Sequence, residues 1–545
     1  MAMRVLLVQA PLLGWSQQQF TKYENLGMGY LAAVLRQHGY DVDIIDAQVC
    51  GLDMKETADR ILKEKQEIIG FSASAFSLFR KTIKLIEALR SSGVDSHFTI
   101  GGNFPTFEHR NILQKYSTVD SIVRGEGEFT FLELVQKIAR GEDLSSIRGL
   151  SYREGERIVE NPPRGFIKNL DELPFPARDT LPLVLQAARG NAGVCASRGC
   201  YGNCSFCSIR AFYGTPLRRM RSPKNVVDEI EILCHKWGVK GLFFVDDVFV
   251  DGSQLSREWV RQFHDEILSR RINIEFGAHA RVNDINKETF LLLRETGLRW
   301  VDTGIESGAQ KILDRMNKMT TVDENRRAVS TLEELGLKAA ITFIMFEPDM
   351  TLDEAKQNYE FLTKDLSSHY NLACLLRKMA PYSGTPIRER LIRDGRLDDS
   401  FENLNYTFLD PQVQKLYYLI DRLSRILWPA TTDQTYLYRK TRELGYRLET
   451  EWGKIINIYF YRFYIQNLNK QLLTLREEEL TVFTDFFRRA IKIVETEPNT
   501  IQENHPIFTE AMKIREKFME ESQKIRINLK KYEELLSTFE ATPNS

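Results

Sequence analysis

Three closely spaced cysteines are the residues of this chain with the clearest chemical potential. Cys200, Cys204 and Cys207 have the spacing C-x3-C-x2-C and directly follow a predicted strand. Gly202 and Asn203 suit the turn that brings the three sulfurs together. Three thiolates can ligate three irons of a cubane cluster, whereas four would close it and favour electron transfer. The spacing therefore predicts a 4Fe-4S cluster with one iron open to a ligand from outside the protein.

Zinc binding is the alternative use of these cysteines. Structural zinc sites usually draw on paired C-x2-C or Cys/His knuckles, and no second knuckle follows in the sequence. Cys195 is a possible fourth ligand, but it lies within the predicted strand, which favours a packing role. The chain has only seven cysteines in 545 residues, an odd number that does not indicate a disulfide framework.

The composition is that of an ordinary globular protein, with 43% hydrophobic and 27% charged residues. Lys and Arg number 74 against 75 Asp and Glu, so bulk charge gives no sign of nucleic-acid binding. No apolar run approaches the roughly 18 residues of a membrane span. We interpret the first residues, MAMRVLLVQAPLLGW, as a buried strand and not as a signal peptide. We therefore expect a cytoplasmic protein whose partners include neither nucleic acid nor membrane.

Residues 1–140 alternate short apolar runs with helical patterns, which predicts a doubly wound, Rossmann-like parallel sheet. The strand candidates are Arg4–Val8, Val42–Asp46, Ile68–Ser72, Phe98–Gly101 and Ser121–Val123. Ligands of such sheets bind beyond the carboxyl ends of the strands. The small or polar residues at these ends are candidate contacts: Gln9, Ser72, Ser74, Gly101, Gly102, Asn103, Gly125 and Glu126. Since glycine and serine end strands in many folds, a purely structural role stays open.

A second alternation follows a proline-rich linker, residues 141–190, in which Ser151–Val159 is a candidate hairpin. Six strand–helix units over residues 191–390 predict a partial (β/α)6 TIM-like barrel with its site at the strand carboxyl ends. The strand candidates are Gly193–Ala196, Gly241–Val245, Ile274–Ala278, Trp300–Gly304, Ala340–Phe346 and Leu372–Lys378. Residues 391–545 predict an all-α C-terminal domain, with helices over Pro411–Leu427, Ile455–Leu473, Glu477–Val494 and Ile507–Phe539.

The segment Cys200-x3-Cys204-x-Phe206-Cys207 resembles the signature of the radical S-adenosylmethionine (SAM) superfamily, including the aromatic residue before the last cysteine. The resemblance implies that SAM binds the open iron through its amino and carboxylate groups. It also implies that one electron from the reduced cluster cleaves SAM to methionine and a 5′-deoxyadenosyl radical, which abstracts hydrogen from an unactivated carbon.

Further segments match this superfamily in the expected order. FFVDD places Asp246 and Asp247 at the second strand end, where the family binds the methionyl amino group, and Asp246 is the favoured candidate. DTGIESG places Glu306 and Ser307 at the fourth strand end, where ribose or methionyl contacts lie. PYSGTP resembles the segment after the sixth strand.

The N-terminal segments NLGMGYLAAVLRQHGYDVDIID, GGNFPTF and IVRGEGEFTFLEL resemble cobalamin-binding domains fused ahead of radical SAM barrels. The likeness covers about residues 1–390. Many cobalamin domains supply a histidine to cobalt through a D-x-H-x-x-G motif, which is absent here, and Asp95-x-His97 is a coincidental near match. The subfamily often lacks this histidine, and the Gln9–Leu13 loop would then face the lower side of the corrin.

Together the resemblances imply a cobalamin-dependent radical SAM enzyme that methylates an unactivated carbon of a small molecule or peptide. They imply a 4Fe-4S cluster, SAM and cobalamin as cofactors, and an external low-potential electron donor of the flavodoxin or ferredoxin type. Cyclisation, ring contraction or oxidation with the same cofactors is the nearest alternative. A non-catalytic iron–sulfur sensor or a tRNA-interacting protein is a rival of another class.

Overall fold

The N-terminal sheet forms because each of its apolar runs is covered by helices on both faces. The computed structural model describes residues 3–11, 23–186, 191–398, 400–450, 458–497 and 505–540. Alternate residues of the first strand enter different core clusters: Val5 and Leu7 pack on one face, and Leu6 and Val8 pack on the other. Burial on both faces is typical of parallel sheets, whose crossover helices cover them.

The strands and helices of this part run in the following order: β1 Arg4–Gln9, α1 Leu26–Gln37, β2 Asp41–Asp46, α2 Met54–Leu62, β3 Ile68–Ser72, α3 Phe76–Ser91, β4 His97–Gly101, α4 Asn103–Lys115, β5 Ser121–Val123, α5 Glu128–Arg140, β6 Leu150–Glu154 and β7 Arg157–Glu160. The sheet order is β2-β1-β3-β4-β5-β6-β7. The first five strands pair in parallel, whereas β6 and β7 form the predicted hairpin and extend the sheet in antiparallel fashion.

The strand order 2-1-3-4-5 has its topological switch point between β1 and β3, and ligands of doubly wound folds bind outside the strand carboxyl ends at such a point. Gln9 and Ser72 are register partners there. The predicted Rossmann-like fold is confirmed.

The second sheet belongs to the barrel. Its elements are α6 Leu181–Gln186, β8 Ala192–Val194, β9 Ser197–Arg198, α7 Ile209–Tyr213, β10 Arg219–Met220, α8 Pro223–Trp237, β11 Gly241–Phe244, α9 Gln254–Ser269, β12 Glu275–Arg281, α10 Lys287–Thr296, β13 Leu298–Glu306, α11 Gln310–Arg315, α12 Val322–Glu334 and β14 Lys338–Phe343. The sheet order is β14-β13-β12-β11-β8, and β9 pairs with β10 in a separate ribbon. This order is the sequential one of a barrel built from strand–helix units.

The sixth predicted strand, Leu372–Lys378, is wrong over most of its length. The following elements are α13 Leu352–Glu360, α14 Leu372–Leu376 and α15 Pro386–Arg393, so the apolar run forms a helix. The side chain of Asn371 accepts a hydrogen bond from the backbone of Ala373 and caps that helix. Only Lys378 pairs in the sixth-strand position, through a single parallel bridge to Phe346.

Three long helices complete the chain: α16 Pro411–Thr450, α17 Ile458–Thr496 and α18 Pro506–Glu540. They are longer than predicted because α16 continues through Pro429, and α17 joins the two segments predicted separately. Their shared core includes Leu437, Leu472 and Phe518. None of the helices in the described ranges is long and apolar enough to cross a membrane.

The chain divides into two compact units. The first contains residues 1–306, 310–342 and 380–406, and the second contains residues 307–309, 343–379 and 407–545. The residues described next belong to the first unit unless stated otherwise.

Candidate active site

The three-cysteine loop follows β9 and lines a cavity of about 190 Å³, here called the cluster cavity. All three predicted cysteines and Phe206 border it. The other lining side chains used below are Asp247, Arg281, Glu306, Lys318 and Thr342. Cys195, the alternative fourth ligand, borders a different cavity. The geometry therefore groups three thiols, and not four, around one space.

The thiols lie in surroundings that combine burial with hydrogen-bond donors. Burial raises the pKa of Cys200 above its usual range and raises the pKa of Cys207 to about 11. The backbone N–H of Gly202 donates to Cys200 Sγ at 3.3 Å, and Arg281 Nη1 donates to Cys204 Sγ at 3.4 Å. Buried sulfurs that accept such bonds suit a soft, positively charged metal centre, so the donor set fits an iron–sulfur cluster.

The two acids after β11 have different surroundings. Asp246 is buried and accepts hydrogen bonds from the Ala196 backbone at 3.0 Å and the Ser197 hydroxyl at 2.5 Å. Burial raises its pKa to about 7. Asp247 accepts a bond from the Gly199 backbone at 2.9 Å and borders both cavities. The structure thus gives Asp247 the cavity-facing position that the sequence favoured for Asp246, which instead holds the chain ahead of the cysteine loop.

Glu306 ends β13 in the cluster cavity with φ +63°, the left-handed region that is uncommon for a residue other than glycine. Its carboxylate lies 3.4 Å from Lys318 Nζ and accepts a bond from the Thr342 hydroxyl at 3.2 Å. Ser307 belongs to the second unit, where it is buried and donates to Asn358 at 2.7 Å. Of this predicted pair, the structure brings only Glu306 into the cluster cavity.

A larger cavity of about 310 Å³, the sheet cavity, enters the N-terminal sheet from its strand ends. Its lining includes Ser72, Gly101, Gly102, Gly125 and Glu126, five of the predicted contacts. Residues of the sheet and of two helices form an apolar part of the lining: Leu7, Gly70, Met28 of α1 and Phe131 of α5. A Cβ at Gly70 would lie 3.1 Å from both Leu7 and Phe131, so glycine keeps this apolar channel open. Such a channel with polar groups at its mouth fits part of a large, flat cofactor.

The other predicted contacts on this domain face elsewhere. Gln9 is buried and bonds to Asp46 at 3.4 Å, to Gln48 at 3.3 Å and to Asn25. Asn25 also donates to Ser72 at 3.1 Å, so this network fixes the end of β3. Leu12 and Leu13 of the Gln9–Leu13 loop lie outside the described residues.

Three further side chains named from the sequence also lie away from the sheet cavity. Ser74 is exposed, and Asn103 donates to the Ser208 hydroxyl at 3.3 Å, next to the cysteine loop. His97 begins β4 and bonds to Ser121, at the end of the strand opposite to the cavity.

Glu126 connects the first sheet to the barrel through buried ion pairs. It pairs with Arg198 at 2.8 Å and with Arg219 at 2.9 Å, and Arg198 also pairs with Glu128 at 2.6 Å. Burial disfavours the Glu126 carboxylate, but the hydrogen bonds from Arg219 and Arg198 hold its pKa below the usual range. Glu126 therefore lines the sheet cavity and also joins the domain to the barrel.

Sequence reasoning missed several cavity residues. Arg198, Arg281 and Lys318 line the cavities. Arg198 lies two positions before Cys200, which could have drawn attention to it. Arg281 and Lys318 carry no spacing signal, since they reach the site from segments more than 70 positions away. Among the described residues, no three His, Cys, Asp or Glu side chains are placed to hold a single metal ion.

The structure thus combines a three-cysteine loop at the strand ends of a barrel sheet with a doubly wound sheet that has its own cavity. A family model for the radical SAM superfamily matches residues 194–362, and a B12-binding domain model matches residues 20–135. An uncharacterised methyltransferase of Pyrococcus horikoshii is 31% identical over 431 residues, which cover 78% of this chain and 91% of that protein. The chain belongs to the cobalamin-binding radical SAM enzyme family.

Two further similarities agree with this assignment. The anaerobic magnesium-protoporphyrin IX monomethyl ester cyclase of Rubrivivax gelatinosus is 28% identical over 423 residues, covering 75% of this chain and 73% of that protein. The solved structure of the cobalamin-dependent SAM radical enzyme OxsB, with aqua-cobalamin and SAM bound, superposes with a TM-score of 0.68 at 20% identity. That match covers 94% of this chain and 83% of OxsB, and it confirms the fold.

Family membership fixes the cofactor set as a 4Fe-4S cluster, SAM and cobalamin. It also means that the enzyme needs a substrate and a reductant.

Proposed function

We propose that this enzyme methylates an unactivated carbon of a small molecule or peptide in a biosynthetic pathway. The observation that carries the proposal is the meeting of the cluster cavity and the sheet cavity at Asp247, which borders both. A substrate held near Asp247 would be within reach of groups bound in either cavity. The methyltransferase relative at 31% identity supports the reaction type.

The residues of the cluster cavity have separate tasks in this proposal. Cys200, Cys204 and Cys207 would hold the cluster, and Phe206 lines the same cavity. Asp247 would bind the amino group of SAM through a charge-assisted hydrogen bond, and Glu306 would bind the ribose hydroxyls. When bound, the cofactors supply a carbon-centred radical and a methyl group. The protein positions the reacting groups and keeps water and oxygen away from them.

The sheet cavity would hold cobalamin. Ser72, Gly101, Gly102 and Gly125 let the cofactor approach the backbone closely, and Glu126 fixes the mouth of the cavity against the barrel. The remaining predicted contacts act through hydrogen bonds within the protein: Gln9, Asn103, Asp246 and Ser307. Ser74 is exposed after the end of β3, so a cofactor group could contact it only from the solvent side.

We further propose four functional segments: a cobalamin domain over residues 1–140, a linker over 141–190 whose hairpin β6–β7 extends the first sheet, a radical SAM barrel over 191–390 and a helical domain over 391–545. A flavodoxin or ferredoxin would supply the electron in the cytoplasm. The similarity to the ester cyclase favours a second candidate, a radical cyclisation or oxidation with the same cofactors.

Anaerobic reconstitution with iron, sulfide and cobalamin, followed by incubation with SAM and a chemical reductant, tests the proposal. We expect methionine and 5′-deoxyadenosine as products. When an extract that contains the methyl-accepting substrate is added, S-adenosylhomocysteine should also form. A cyclase would give 5′-deoxyadenosine without S-adenosylhomocysteine.

The variant Cys204→Ala should lose 5′-deoxyadenosine formation and keep cobalamin through gel filtration. Cys234→Ala is the matched control, because Cys234 lies on α8 and borders neither cavity. Undiminished SAM cleavage by Cys204→Ala would contradict the assigned ligands.

A further inference from the structure

Arg281 is a buried cation directly beside the cysteine loop. It is the last residue of β12 and is only 6% exposed. Its guanidinium lies 5.1 Å from the centre of the Tyr201 ring, and Tyr201 in turn donates to Asp284 at 2.8 Å. Burying a positive charge costs free energy unless a partner compensates for it. The groups that Arg281 contacts therefore indicate which partners compensate for its buried charge.

Two contacts of Arg281 reach segments that border the cluster cavity. Nη1 donates to Cys204 Sγ at 3.4 Å, and Nη2 donates to the Lys318 carbonyl at 2.6 Å. Nε is buried and has no hydrogen-bond partner among the described residues. One guanidinium thus spans the loop and the Lys318 segment and still has a donor available.

Gly202, inside the cysteine motif, makes room for this guanidinium. A Cβ at position 202 would lie 2.4 Å from Arg281 Nη1 and 3.3 Å from Cys200 Sγ. The φ of Gly202 is not in the positive region, so the backbone itself does not require glycine. The glycine is therefore explained by the space that Arg281 occupies.

We propose that Arg281 is a positioning residue that raises the reduction potential of the cluster through its hydrogen bond to Cys204. This inference rests on the proposed function, because it takes Cys204 as a cluster ligand. Reduction adds a negative charge to the cluster, and a buried cation that donates to a ligand sulfur stabilises the reduced form more than the oxidised form. Arg281 would thereby ease the electron transfer that starts each turnover.

The test is a redox titration of the reconstituted full chain, followed by electron paramagnetic resonance, with iron content measured alongside. Arg281→Gln should make reduction at least tenfold less favourable, which corresponds to about 59 mV for one electron. Arg281→Lys keeps the charge but cannot span both acceptors, so its potential should lie between those of wild type and Arg281→Gln. Gly202→Ala should shift the potential in the same direction as Arg281→Gln, because the new methyl group displaces the guanidinium.

Arg218→Gln is the matched control, since the Arg218 side chain is 4% exposed, pairs with Asp251 at 2.6 Å and borders neither cavity. This control variant should be less stable than the wild type, but the reduction potential of its cluster should be unchanged. If Arg281→Gln fails to retain iron, Arg281→Lys and Gly202→Ala decide the question. Wild-type potentials in all cluster-containing Arg281 and Gly202 variants would overturn the proposal. A wild-type chain that assembles no cluster would instead refute the proposed function on which it rests.

Discussion

The ion pairs of Glu126 give a quantitative test of how the two sheets of the first unit are joined. In Glu126→Gln the carboxylate that bonds to Arg198 and Arg219 becomes a neutral amide. Glu126 is 6% exposed, and the two arginine side chains are 12% and 8% exposed, so both cations would be left in buried positions. Removing one partner of a buried ion pair costs about 3–5 kcal/mol.

For Glu126→Gln we expect the free energy of unfolding to fall by an amount at the lower end of this range, about 3 kcal/mol. Arg198 keeps its pair with Glu128 at 2.6 Å, and Arg219 keeps the carbonyl of Ile167. The side-chain amide can also accept one of the lost hydrogen bonds. The assay is urea unfolding of the full chain without cofactors at pH 7.5, with the free energy of the first transition compared between variant and wild type.

The pKa of Glu126 in the folded state lies below its ordinary value, so its stabilising contribution is present above pH 4.5 and is lost on further acidification. The difference in unfolding free energy between the wild type and Glu126→Gln should therefore stay constant from pH 6 to pH 8. Glu133→Gln on α5, the helix that follows Glu126, is the control, because Glu133 is 40% exposed in its pair with Arg164 and the variant should lose less than about 1 kcal/mol. An equal loss of unfolding free energy in both variants would contradict a buried ion pair at Glu126.

Three further predictions follow from buried groups of the first unit. Burial raises the pKa of Asp46 from 3.8 to about 6, so the wild type loses stability as the pH rises from 3.8 to 6. In urea titrations at pH 8, Asp46→Asn should therefore be more stable than the wild type by up to about 3 kcal/mol. At pH 5 the difference in unfolding free energy should be smaller. Gly70→Val should reduce the cobalamin that co-elutes in gel filtration at least tenfold, whereas Gly165→Val should retain it because position 165 is open. Asp247→Asn should raise the apparent KM for SAM at least tenfold, because it removes a charge-assisted bond, while iron content stays unchanged.

Much of the fold could be predicted because its signals are local. Ile68–Ser72 and Ser121–Val123 are apolar runs with polar residues at their ends, and the structure gives them the predicted bounds. The run at 372–376 is equally apolar, and periodicity alone does not separate a short strand from a short helix. The Asn371 cap decides for the helix, and its effect depends on hydrogen bonds that an apolar pattern does not reveal.

The candidate site also has a part that local sequence signals predict and a part that they do not. The cysteine spacing is local, so the loop could be found from the sequence. The Arg281 contact joins residues 77 positions apart, and nothing in the linear pattern marks it. The choice between Asp246 and Asp247 depends on which carboxylate faces the cavity after β11 has ended, and strand alternation no longer applies there. The sequence therefore predicts the chemistry of the loop better than the identity of the side chains opposite to it.

The most direct test of the account concerns the number of cysteine sulfurs on the iron centre. We would prepare the wild-type chain anaerobically, reduce it and record its electron paramagnetic resonance spectrum before and after adding SAM. We expect a 4Fe-4S signal that changes when SAM binds and that is lost in Cys204→Ala but kept in Cys195→Ala. A spectrum that is indifferent to SAM, or one that is lost in Cys195→Ala, would contradict the open three-cysteine site.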